Sequence, residues 1–129
     1  MKKIFRYIKL WTPPAFWCGL IFYLSSIPNL STNLGTLDVI LRKLAHIVEY
    51  GILAFLIWRA IVNSISMSRV KIYTWAGSLS ILYAISDELH QSFVPTRGPS
   101  ALDVIIDSIG VLITLWIINK KCRVKEAAL

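Results

Sequence analysis

Between residues 86 and 108 the chain reads SDELHQSFVPTRGPSALDVIIDS. Four carboxylates, a histidine and an arginine are set there between two segments that otherwise read as oily helices. A second polar group, Lys43, His46, Glu49 and Tyr50, stands near the start of another apolar segment. A histidine beside carboxylates can move protons. Arginine and lysine at a helix N-terminus can hold a phosphate or carboxylate. Three or four carboxylates could instead ligate a divalent cation bridging a phosphate, though Asp87, Glu88, Asp103 and Asp107 match no stringent metal signature. There is no Gly-rich nucleotide loop and no G-x-S-x-G nucleophile motif.

The elements carrying these groups are apolar. The 129 residues are 56% hydrophobic and 16% charged, against about 25% charged in soluble domains. Mean hydropathy is +0.63. One domain fits this length. Four stretches approach the roughly 20 residues a helix needs to cross a bilayer. They centre on Trp17–Leu24, or run from about Lys43 to Val62, Ile72 to Gln91 and Ser100 to Ile118. The predicted fold is all-α, a bundle of four transmembrane helices. Residues 1–12 form a basic N-terminus or interfacial segment, 13–119 the membrane domain and 120–129 a basic tail.

Thr12-Pro13-Pro14 interrupts the first stretch. Either one kinked helix includes Ile4 to Leu10, or the helix starts at the prolines. A cleaved signal peptide is disfavoured, because Leu24-Ser25-Ser26-Ile27-Pro28 lacks the small-residue cleavage pattern.

Net charge is +7. The basic residues cluster at the ends of apolar stretches, which suits membrane topology and anionic lipid better than nucleic acid. Eleven of the fourteen Lys and Arg fall on one side of a four-span arrangement, leaving Arg42, Lys43 and Arg97 on the other. The positive-inside rule then puts both termini of this multi-pass membrane protein in the cytoplasm. Cys18 and Cys122 are read as free thiols.

With this topology the polar residues gather at the outer helix ends. Lys43, His46 and Tyr50 share one helical face, as do Asp103, Asp107 and Gly110, and Asp87 and Gln91. Asp38 and Glu126 fall elsewhere. Glu49 and Asp107 lie on the order of 10 Å deep at 1.5 Å per residue. Stripes of this kind face a bundle interior or wet cavity. Internal ion pairing alone would be the structural explanation. Ser100 suits an N-cap, with Asp103 three residues on. Ser25 and Ser26 reach the same level from the first span.

Lys43-x-x-His46-x-x-x-Tyr50, followed by Asp87-Glu88-x-x-Gln91-x-Phe93-x-Pro95-x-Arg97-x-x-Ser100-x-x-Asp103-x-x-x-Asp107-x-x-Gly110, resembles the VanZ-like membrane protein family over about residues 20–118. The resemblance covers Lys43, His46, Tyr50, Asp87, Glu88, Gln91, Arg97, Ser100, Asp103, Asp107 and Gly110. It implies an association with resistance to glycopeptides, teicoplanin above all, or a housekeeping role in the envelope. Two departures stand out. Thr96 precedes Arg97 where the family commonly has glycine, and Asp107 stands where many members carry asparagine.

The expectation is an extracytoplasmic pocket that binds or acts on an anionic envelope lipid or a glycopeptide. Lys43, Tyr50, Asp87, Gln91, Arg97, Ser100 and Asp107 would bind, and His46 with Glu88 or Asp103 would handle protons. An enzyme modifying a phosphate- or glycan-bearing lipid is the alternative, followed by a proton-coupled transporter, which would need a homo-oligomer. A divalent cation is the one cofactor the residues suggest.

Overall fold

The computed structural model describes residues 2–28 and 35–127; the last two residues of the expected basic tail lie outside the described residues. Four helices and no strand occur among the described residues: α1 (Lys2–Ser25), α2 (Thr36–Ser64), α3 (Arg69–Gln91) and α4 (Ala101–Ala127). The all-α class is as expected.

Helix α2 is the hub. It packs against the other three, while α1 and α4 each also touch α3 but not one another. Its buried face carries Tyr50, Leu53, Ala54 and Ile57, spaced three or four residues apart as one helical stripe requires. Gly51 and Gly110 let α2 and α4 approach backbone to backbone. A Cβ on Gly110 would meet the Ile47 carbonyl oxygen of α2, and one on Gly51 would lie 2.7 Å from Thr114 Oγ1. Small residues at a helix crossing are the usual route to close packing in membranes.

Helix α1 runs unbroken through Pro13 and Pro14, so of the two readings of the first stretch the single helix holds. The prolines withdraw the N–H groups that would reach the carbonyls of Lys9 and Leu10. Tertiary bonds hold the N-terminal half in place. Arg6 Nη2 donates to Asn63 O (2.9 Å), Tyr7 Oη to Ser64 O (3.1 Å) and Trp11 Nε1 to Ser64 Oγ (3.2 Å). At the other end Trp17 Nε1 donates to Glu49 O at 2.9 Å, and Tyr83 Oη to Cys18 O at 2.6 Å. These two bonds lock α1 to α2 and α3 beside the polar residues.

The exterior is apolar. Phe16, Val70, Leu82, Leu112 and Trp116 are exposed, far more oily surface than a soluble monomer carries. Two helices, α2 and α4, are long and apolar enough to cross a membrane. These are features of a membrane protein. Four such helices were expected, but α1 and α3 fall short among the described residues. Basic residues and prolines dilute α1. Serines and the terminal Asp87, Glu88, His90 and Gln91 dilute α3.

Candidate functional site

The C-terminal ends of α1 and α3, the N-terminal half of α2 and the 92–100 segment surround a cavity of about 220 Å³. Ile21, Leu24 and Ala45 supply apolar wall, and Ser25 a hydroxyl. Asp38, Arg42, His46 and Glu49 line it from α2, Asp87 from α3 and Arg97 from the connecting segment. Positions 38, 42, 46 and 49 recur every three or four residues, so one face of α2 delivers all four side chains.

His46 and Asp107 join α2 to α4. His46 Nδ1 lies 3.0 Å from Asp107 Oδ1, and the Asp107 side chain is 1% exposed against 16% for His46. With Asp107 ionised, its carboxylate only accepts, so Nδ1 is the donor of this contact and Nε2 is left for the cavity that His46 lines. Nothing among the described residues bonds Nε2 or Asp107 Oδ2. A carboxylate that fixes the tautomer and orientation of an imidazole is the arrangement of a general base. The Tyr50 ring, itself fully buried, lies near-parallel to His46 at 6.5 Å.

A second chain of bonds joins α3 to the connecting segment. Gln91 Nε2 donates to Asp87 Oδ2 at 2.9 Å, and Arg97 Nη1 donates to Gln91 Oε1 at 3.2 Å. Its amide thus separates the cation from the carboxylate. Asp87 is 4% exposed, and its Oδ1 has no hydrogen-bond partner among the described residues. Glu88 points elsewhere, its Oε2 accepting the Ser100 N–H at 2.8 Å. Ser100 Oγ accepts from Asp103 N at 3.3 Å, as expected of a residue just ahead of α4. Thr96 adopts φ 69° in the turn beneath Arg97, a left-handed conformation that costs a β-branched residue more than glycine.

The expected site residues therefore divide. His46, Asp87 and Arg97 reach the cavity, Tyr50, Gln91 and Asp107 buttress it, and Ser100 and Glu88 fasten the segment carrying Arg97. Lys43 is half-buried and off the cavity wall. His46 and Glu88 take different hydrogen-bond partners, Asp107 and the Ser100 N–H, while Asp103 lies within electrostatic reach of both. Asp87, Glu88, Asp103 and Asp107 lie near enough to interact through space but do not form a ligand set. Among the described residues no group of three or more His, Cys, Asp or Glu could hold a metal ion. His90 stacks on Phe22 at 4.2 Å and meets Ser26 Oγ at 2.9 Å, outside the cavity lining.

Asp38 corrects the sequence reading, which placed it away from the polar group. Helix α2 starts at Thr36, seven residues before the expected span, and this extra length carries Asp38 and Arg42 onto the cavity wall. Arg42 Nη2 lies 3.6 Å from Asp38 Oδ2. The 38–42–46–49 spacing was the signal available.

The family model VanZ/LLP1 matches residues 2–122. No curated protein and no solved structure matches the chain. The match spans all four helices, and both the His46–Asp107 contact and the Asp87–Gln91–Arg97 chain lie within it: the chain belongs to the VanZ/LLP1 family.

Proposed function

We propose that all four helices cross the membrane with both termini in the cytoplasm, and that the cavity, at the extracytoplasmic end, binds the phosphate head group of an envelope lipid. Lys and Arg gather at the opposite end of the bundle, which supports this orientation. The large apolar side chains exposed on α1 and α3, Phe16, Phe22, Leu82 and Leu89 among them, support spans there too.

Arg97 carries the binding reading. Its guanidinium lines the cavity, donates to the neutral Gln91 amide, and has no carboxylate within ion-pairing distance among the described residues. A guanidinium with donors to spare is suited to bidentate phosphate recognition. Size supports the smaller ligand: a cavity of about 220 Å³ falls below the roughly 300–1,000 Å³ of drug-sized sites, a closer match to a head group than to a whole glycopeptide. Any protection against teicoplanin would then act through the lipid.

The free Nε2 of His46 favours a second reading, an enzyme that uses it as a base on the bound head group. Lipid retained by the purified protein, compared with lipid turned over, separates the two. Binding without turnover predicts that His46→Gln changes neither product nor retained lipid by much; catalysis predicts loss of product with binding kept. Arg97→Gln should weaken retention by about 10-fold or more, the scale of a charge-assisted hydrogen bond of about 1.5–3 kcal/mol. Unchanged retention in that variant would defeat the anion-binding reading.

A further inference from the structure

The cavity wall is not that of a simple anion site. It carries three carboxylates, on Asp38, Glu49 and Asp87, against the guanidinium groups of Arg42 and Arg97 and the imidazole of His46. Asp38 and Arg42 face each other at 3.6 Å, so much of their charge is spent locally. Arg97 remains on one side, with Asp87 and Glu49 on the other. Ionised, these carboxylates would repel an anion drawn to Arg97, and a ligand that itself brought a positive charge would remove that repulsion.

Asp87 makes that second charge specific. It is 4% exposed and lines the cavity, and only one of its oxygens is satisfied, by Gln91 Nε2. The other, Oδ1, has no hydrogen-bond partner among the described residues, and the one unpartnered donor buried near it is Tyr50 Oη; leaving a buried acceptor unmade costs about 1–3 kcal/mol. An ammonium has three donors and no acceptor, and so satisfies a carboxylate without repelling the neighbouring Glu49. The Gln91 amide, at 3.2 Å from Arg97 and 2.9 Å from Asp87, holds the cationic and anionic ends apart by one carboxamide. An amine joined to a phosphate through two carbons spans on the order of 5 Å, from bonds of about 1.5 Å each.

Building on the anion-binding reading, we propose that the ligand is zwitterionic: an aminoalkyl phosphate whose phosphate meets Arg97 and whose ammonium meets Asp87 and Glu49. The same chemistry occurs in an amine-bearing phospholipid head group and in a free aminoalkyl phosphate.

Calorimetry on the full-length protein in detergent tests this with three probes: O-phosphoethanolamine, inorganic phosphate and ethanolamine. The zwitterion is expected to bind at least tenfold more tightly than either half. Asp87→Asn, which keeps the acceptor for Gln91, should reduce it to the level of phosphate. Glu49→Gln gives a smaller loss and serves if Asp87→Asn does not fold, although the wild-type comparison decides alone. Equal binding of phosphate and phosphoethanolamine overturns the zwitterion proposal and leaves the anion reading standing. Binding by none of the three overturns both. Nanodiscs separate the sources: phosphatidylethanolamine discs that suppress probe binding, where phosphatidylglycerol discs do not, identify the lipid head group. Equal binding in both identifies the free aminoalkyl phosphate.

Discussion

Replacing Gly110 with alanine should cost both stability and the His46–Asp107 contact, because one backbone crossing sets both. The new methyl would lie 3.0 Å from the Cα and carbonyl carbon of Ile47 and closer still to its oxygen. Carbon contacts are comfortable at about 3.5–4.0 Å, so α2 and α4 must part by roughly 0.5–1 Å. Backbone cannot rotate aside as a side chain can. Overpacking of this kind costs about 1–3 kcal/mol. Ile47 adjoins His46 in the sequence, and Asp107 lies one turn before Gly110, so the same separation stretches the 3.0 Å contact beyond the roughly 2.7–3.2 Å of a hydrogen bond.

The other glycines supply the scale. Gly51→Ala meets Thr114 Oγ1 at 2.7 Å, a side-chain atom that can turn away in part; Gly77→Ala meets only Leu115 Cδ1 at 3.4 Å; Gly19→Ala meets nothing within 4 Å. The expected order of stability loss is Gly110, then Gly51, then Gly77, with Gly19→Ala neutral or slightly stabilising through helix propensity. Thermal unfolding of the four variants in one detergent measures it, and the titration of the His46 ring resonances reports the contact. Gly110→Ala as stable as Gly19→Ala, with unchanged His46 titration, would refute the close crossing of α2 and α4.

Thr96→Gly should stabilise the protein by about 1 kcal/mol, the usual cost of a left-handed non-glycine residue, since Thr96 sits at φ 69°; a lower melting temperature would contradict it. Glu88→Ala leaves the Ser100 N–H without its 2.8 Å acceptor and should cost about 1–3 kcal/mol, with Arg97-dependent lipid retention falling alongside. Tyr83→Phe removes the 2.6 Å bond to Cys18 O and should cost about 1 kcal/mol without altering lipid retention. In a background lacking Cys18 and Cys122, Gly98→Cys should react with a membrane-impermeant maleimide in whole cells and Ser66→Cys only after lysis. The opposite pattern would invert the topology.

Helix number and the gathering of polar residues at one end were readable from hydropathy and spacing, because both are local properties of the chain. The start of α2 was not. Asp38 and Arg42 make its first turns too polar for an apolar window, although their spacing continues the stripe through His46 and Glu49. Nor could sequence say which acid meets His46. Asp103 and Asp107 stand one turn apart on the same face, and the choice falls to the Gly51–Gly110 crossing, a contact between residues about sixty positions apart. Glu88 reads from its position as a proton-handling partner of His46. Its real partner is a backbone N–H, invisible to side-chain patterning. Thr96 gave a partial signal: a residue other than glycine ahead of Arg97 marked a turn worth inspecting, but its φ follows only from the fold.

The central claim, that Arg97 holds the phosphate of a lipid, is tested most directly by native mass spectrometry of the full-length protein released from nanodiscs, wild type against Arg97→Gln. The account predicts a phosphate-bearing lipid retained by wild type and lost about tenfold or more in the variant, for one charge-assisted contact. Equal retention in both, or none in either, would contradict it.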